Sequence, residues 1–276
     1  MPKGRKLSDE IPQIKNYKLT IEYDGTDFNG WQVQESGKRT VQGEIEKALE
    51  KILKKKTHLS GSGRTDSGTH AAGQVANFKG VCRLDPLQLE KAINGNTPDD
   101  VSILKVEEVS LDFHAQYSAK RKTYRYTILN RQSPTALNWR FAYHFPYRLN
   151  LSAMKREVKS LVGKKDFRSF MASGSTPKRK DKNTVRTIHS LKIVKKGDYI
   201  HIDIEANGFL YKMVRNIVGT LLDVGTRRLP SGALAKILLA KDRKLASATA
   251  PAYGLCLMAV EYKEGGGPTK KKLTSS

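Results

Sequence analysis

The stretch YSAKRKTYRYTIL, residues 117–129, begins a pattern that the chain has already run through once. Lys120, Lys122, Tyr124 and Tyr126 alternate onto one face, the period-two signature of a strand. Downstream, Met154, Val158, Leu161 and Val162 recur at helical spacing and stop at Gly163. Two strands follow near 185–195 and 199–206. Leu210, Met213, Val214, Ile217 and Leu221 then form one apolar helix face ending near Gly225. Pro230-Ser231 opens a short extra helix through Leu239, and GLCLMAVEY (254–262) reads as a closing strand.

Upstream the same order appears. YKLTIEY (17–23) puts Leu19, Ile21 and Tyr23 on one face of a strand, and the turn-rich DGTDFNG follows. Val41, Ile45, Leu49, Ile52 and Leu53 have helical spacing, with Thr40 placed as the cap. Short strands are expected near 57–62 and 73–79. Asp85-Pro86 is an N-cap and first-turn pair for a helix over 86–94, ended by Gly95, and VSILKVEEV (101–109) is the next strand. Each run reads β-α-β-β-α-β. The expected fold is therefore α+β, with two ferredoxin-like (RRM-like) halves joined near 112–116. The expected units are a flexible segment at 1–16, halves at 17–114 and 115–264, and a disordered basic tail at 265–276.

Fifty Lys and Arg against 27 Asp and Glu leave a formal charge of +23 on 276 residues. A surplus of that size seeks a polyanion, nucleic acid first. An anionic membrane comes second, but no basic amphipathic helix supports it. A merely soluble basic surface is the plain alternative. Hydrophobic residues make up 38% of the chain, enough for a packed core. The two cysteines, Cys82 and Cys256, are far apart and have no CxxC spacing, which speaks against a disulfide scaffold and structural zinc. The N-terminal MPKGRKLSDE carries no apolar segment, and no apolar run reaches membrane-spanning length. The expectation is a soluble, cytoplasmic protein.

Open antiparallel sheets can present aromatic rings to RNA bases. Lysines interleaved with tyrosines on 117–129 suit backbone phosphates and bases respectively. Tyr126 reads better as core. For Tyr124, core packing and base stacking stand level. The segment SGSTPKRKDKNT (173–184) is either a solvated linker or a phosphate clamp built from Lys178, Arg179, Lys180 and Lys182.

The chemistry concentrates in GSGRTDSGTHA, residues 61–71. No Gly-Lys-Ser/Thr completes a P-loop, and no G-x-S-x-G elbow, HExxH pair or Rossmann fingerprint occurs. His70 reads as structural or RNA-facing rather than as a metal ligand. What remains is Asp66, with Arg64 two residues before it. An Asp in a Gly-rich loop is commonly a turn former or cap. A lone carboxylate can equally act as a nucleophile or base without a cofactor.

GRTDSGTHA resembles the signature loop of the tRNA pseudouridine synthase A family. YDGTDFNGWQ (23–32), KRKTYRYTI (120–128), NGFLYKMVRNIVGTLLDVG (207–225) and APAYGLCL (250–257) agree with it in the family's order. The resemblance implies isomerisation of uridine to pseudouridine in the tRNA anticodon arm, usually at positions 38, 39 and 40, in a cleft between the two halves. It implies no metal or cofactor. It implies Asp66 as the catalytic nucleophile, Arg64 as the residue that extrudes or replaces the base, and Tyr124 as the ring stacked on it. Arg215 matches the partner of the carboxylate, and Leu255 an apolar wall. It further implies a homodimer whose tRNA spans both subunits. The extra positive charge, the KRKDK segment and the tail depart from the family pattern. A non-catalytic tandem RNA-binding module is the alternative reading. A glycosidase ordinarily needs a second carboxylate at the bond, which this loop does not offer.

Overall fold

The computed structural model describes residues 13–35, 37–172 and 183–263. The expected clamp residues Lys178, Arg179, Lys180 and Lys182 and the basic tail from 265 lie outside these residues. So does most of the expected N-terminal segment, but β1 begins at Lys15, ahead of the expected start at 17.

The strands are β1 (Lys15–Tyr23), β2 (Ser60–Gly61), β3 (His70–Gly80), β4 (Val101–Val109), β5 (Ala119–Leu129), β6 (Tyr143–His144), β7 (Gly163–Asp166), β8 (Val185–Lys196), β9 (Tyr199–Ala206) and β10 (Leu255–Tyr262). The helices are α1 (Val41–Leu53), α2 (Pro86–Asn94), α3 (Leu151–Glu157), α4 (Met213–Gly225) and α5 (Ala233–Ala240). Thr40 caps α1 by accepting from Gly43 N, and Asp85 and Gln88 close a reciprocal capping box on α2. Those two starts fall where local chemistry puts them. α3 is shorter than its apolar spacing suggests: it ends at Glu157 and tightens into a 3-10 turn over Val158–Leu161. Gly163, at φ +100°, then starts β7.

The fold is α+β, and the ten strands of the described residues form one mixed sheet in the order β4-β1-β3-β10-β5-β9-β8-β7, with β2 on β3 and β6 on β5. Among the described residues the sheet is continuous from β4 to β7. The pairing is antiparallel throughout β4-β1-β3 and β10-β5-β9-β8-β7. At the seam, β3 and β10 run parallel, with Cys256 opposite His70 and Leu257 opposite Ala71.

One face of the sheet is the core. Tyr17, Leu19 and Ile21 of β1, Tyr126 and Ile128 of β5, and Ile200, Ile202 and Ile204 of β9 are buried in one cluster with the apolar sides of all five helices. α4 is buried over most of its circumference, because it packs against α3, α5 and β5 together. The other face carries ion pairs such as Arg125–Asp203 and Lys18–Glu107. A smaller apolar cluster there joins Val75, Val109, Phe113 and Ala115. Asn16 and Asn77, both buried, hold the 110–115 chain over it by bonding to Ser110 O, Phe113 O and Ala115 N.

Candidate active site

Asp66 sits in the loop that joins β2 to β3, and the 24–31 turn supports that loop from below. Trp31 N donates to Thr65 O at 3.2 Å, Gly68 N and Ser67 Oγ both donate to Phe28 O, and Thr69 N closes a turn on Asp66 O. Tyr23 Oη shares a 2.7 Å hydrogen bond with Thr65 Oγ1. The two loops touch backbone to backbone, and Gly30 allows it. Its φ is +89°, and a Cβ there would lie 2.6 Å from Thr65 O. One glycine that shapes this loop thus lies outside it.

Arg215 reaches Asp66 from the first turn of α4. Its Nη1 donates to Asp66 Oδ2 at 2.7 Å and its Nε to Ala250 O at 2.7 Å. Ala250 N returns a bond to Arg215 O. The guanidinium is held from two sides before any ligand arrives. Side-chain exposures of 13% for Arg215 and 19% for Asp66 leave the pair mostly desolvated but reachable. A charge-assisted bond in such surroundings is stronger than its solvent-exposed counterpart.

Tyr124 lies on β5 across from Leu257 of β10 and Ile204 of β9. It is 8% exposed, and its ring meets Phe209 edge-on at 5.1 Å. Burial drives its hydroxyl well above the ordinary tyrosine range, and the charges of Tyr23 and Asp66 add to the effect. The phenol is therefore neutral, packed into the core and within the field of the Asp66 carboxylate. Tyr126 is fully buried and donates its hydroxyl to Pro251 O, as the core reading expects. Leu255 is buried across from Tyr126 at the start of β10. Arg64 is exposed on the reactive loop.

The phosphate reading of β5 fails at Lys122, while Lys120 is exposed. Its ammonium donates to Ser62 O within the reactive loop. Burial, helped by the nearby charge of Arg186, pushes it down to about 8. The residue braces the loop from inside. Among the described residues no group of His, Cys, Asp or Glu could hold a metal ion. Both nitrogens of His70 meet protein atoms: Nδ1 accepts from Gly25 N at 3.0 Å, and Nε2 lies against Arg140 O and Tyr253 O. The family resemblance points to Asp66, but not to Tyr23, Phe209 or the Ala250 carbonyl as neighbours of it. Tyr23 and Phe209 carry ordinary core patterning, and a backbone acceptor leaves no trace in sequence.

The model of the tRNA pseudouridine synthase family matches residues 19–118 and 158–263. The chain belongs to the tRNA pseudouridine synthase family. The tRNA pseudouridine synthase A of Thermoanaerobacter sp. (strain X514) is 44% identical over 251 residues, 90% of this chain and all of the relative. That of Caldicellulosiruptor saccharolyticus is 46% identical over 90% of this chain and 100% of its own length. The Bacillus licheniformis protein of the same name is 46% identical over 89% of this chain and 98% of its own length. The enzyme is accordingly an isomerase that converts uridine to pseudouridine in tRNA. Among the described residues no helix is long and apolar enough to cross a membrane.

Proposed function

We propose that this synthase modifies the anticodon arm, at positions 38, 39 and 40, as a cytoplasmic homodimer, with Asp66 as its nucleophile. The observation that carries the assignment is the 2.7 Å Arg215–Asp66 bond in a mostly desolvated setting, with Tyr124 close enough to feel the charge. Isomerisation breaks the N1–C1′ bond, turns the uracil and forms a C5–C1′ bond. The proton lost from C5 balances the one gained at N1, so no redox partner is required.

In this reading Asp66 attacks C1′ as uracil leaves, and a second attack by C5 releases the carboxylate. Arg215 orients the carboxylate, because its guanidinium is itself fixed by the Ala250 carbonyl while it donates to Asp66 Oδ2. Tyr124 lies beneath the base and Leu255 forms an apolar wall. Arg64, exposed on the loop, helps to extrude the nucleotide from its stack. The strand orders β4-β1-β3-β2 and β10-β5-β9-β8 support two ferredoxin-like halves with the cleft between them. Asp66 comes from one half and Arg215, Tyr124 and Leu255 from the other.

The test is Asp66→Asn, nearly isosteric but without charge. Pseudouridine formation in an anticodon stem-loop should vanish while RNA affinity changes little. Substantial turnover in the variant would remove Asp66 from the chemistry. A large isotope effect on the sugar C2′ hydrogen in wild type would instead make Asp66 a base.

A further inference from the structure

A cavity of about 390 Å³ lies beside the reactive loop, lined by Gly68 and Thr26 on one side and by Trp139, Arg140, His144 and Tyr253 on others. That volume falls in the range of small-molecule sites, roughly 300–1,000 Å³. Trp139 is 56% exposed, and the Arg140 guanidinium lies 5.2 Å from its ring centroid. An exposed indole backed by an arginine is a stacking platform for an unpaired base.

The walls are fixed to the reactive loop. His70, the first residue of β3, is buried. Its Nε2 faces two carbonyl acceptors, Arg140 O at 2.8 Å and Tyr253 O at 3.1 Å, and its Nδ1 meets Gly25 N at 3.0 Å and Asp24 Oδ1 at 3.1 Å. Asp24 accepts from Thr26 and pairs with Arg140 at 3.5 Å. One imidazole thus ties the 24–26 turn, the Trp139–Arg140 wall and the Tyr253 wall to the end of the catalytic loop.

We infer that this cavity holds a second, unpaired nucleobase of the substrate tRNA, stacked on Trp139, while the reacting uridine is at Asp66. The inference rests on the anticodon-arm reading above. Gly68 is two residues from Asp66, at most roughly 7 Å along the chain, so the cavity wall begins about one nucleotide from the carboxylate. A chain of net charge +23, with Arg140 in the wall, favours RNA over a neutral occupant. The cavity selects substrates that present an unstacked base at a set distance from the target.

The chain has only two tryptophans, and Trp31 is buried, so accessible emission reports Trp139. The experiment titrates Asp66→Asn protein with an anticodon stem-loop RNA, following tryptophan emission and, separately, filter binding. Emission should fall in step with binding, and the drop should vanish when Trp139→Phe is added. Trp139→Ala should weaken binding roughly 5- to 150-fold with an unchanged salt slope, because a stack is lost and no phosphate contact is. RNA bound with unaltered emission overturns the inference. So does a Trp139→Ala protein that sediments as a smaller species than wild type without RNA, since the wall would then belong to a contact between copies. If wild type forms pseudouridine but emission is unaltered, the inference alone fails. If wild type forms none in any anticodon stem-loop, the reading beneath it fails too.

Discussion

Asp66 and Arg215 are 149 positions apart, yet they make the tightest link between the reactive loop and α4. Arg215 serves two acceptors at once, Asp66 Oδ2 and Ala250 O, through two arms of a rigid fork. A lysine is a point charge and cannot span both in that geometry. Arg215→Lys should therefore lower the rate at saturating tRNA by roughly 10- to 150-fold, the loss of one charge-assisted bond of about 1.5–3 kcal/mol. Single-turnover measurements check this, and a rate within twofold of wild type would show that charge alone suffices. Lys122 supplies a pH dependence. Its folded-state pKa is pushed down to about 8 from 10.5. Between those values the unfolded chain binds the extra proton, so the contribution of Lys122 to stability rises with pH across that window and is flat below it. Denaturant midpoints of wild type and Lys122→Met, compared at pH 7 and pH 10, should shift in favour of wild type at the higher pH. An unchanged difference would mean that the ammonium is better solvated than its position beneath Ser62 indicates. At this scale the family resemblance, carried by the loop and four other segments, implies Asp66, Arg64, Tyr124, Arg215 and Leu255 from the sequence. Lys122 read as a phosphate ligand because alternation tells which face a side chain is on, and does not tell what covers that face.

α5 shows how one element can start where its own sequence does not start it. Pro230-Ser231 looks like the opening, but the helix runs Ala233–Ala240 and its N-terminus is capped from elsewhere. Glu157, buried at the end of α3, accepts from Gly232 N at 2.5 Å and Leu234 N at 3.1 Å. The carboxylate satisfies orphan donors and faces the positive end of the helix dipole. Glu157→Ala should cost about 1–3 kcal/mol, since it strands buried N–H groups. A thermal melt measures the loss, and the rate at a temperature where both proteins are folded should hold. A melting point equal to wild type would place water in the role of the carboxylate. The same contrast explains what was legible among the elements. α1 and α2 start within one residue of expectation because Thr40 and the Asp85–Gln88 box are local signals. α3 ends early and β6 and β7 go unforeseen because tertiary partners determine them: two-residue β6 exists only through its pairing with β5, and β7 only through β8.

At the scale of the molecule, Asp66 and Tyr124 lie on opposite sides of a seam that periodicity could not reveal. The repeated β-α-β-β-α-β order predicts two halves but is silent on how their edges meet. In the sheet the two antiparallel runs meet through β3 and β10, whose register brings two residue pairs together. Asp66 lies four residues before β3 begins at His70, and Tyr124 lies on β5, next to β10, so a shift at the seam displaces the Asp66 carboxylate relative to the Tyr124 ring and to Arg215. Gly73 sits at this seam. A methyl on it would lie 2.5 Å from Met258 O and 3.4 Å from Ala259 Cα, both backbone atoms that cannot rotate away. Gly80 is on the same strand, away from the seam, and a methyl there would meet only the Phe78 ring and Leu53 at 3.6 Å or more, ordinary contact. The same substitution at the two sites separates seam geometry from strand propensity. Gly73→Ala should destabilise by about 1–3 kcal/mol, the usual cost of overpacking. It should also reduce the single-turnover rate more than tRNA affinity, because the RNA-facing charges stay while near-attack geometry is lost. Gly80→Ala should leave both within about 0.5 kcal/mol of wild type. Melting and single-turnover assays on the pair decide the matter. If Gly73→Ala loses stability but keeps its rate, the seam holds the halves together without setting the cleft. If the two variants behave alike, the close approach of β3 and β10 at Met258 yields freely, and the alignment of Asp66 with Arg215 rests on the α4 side alone.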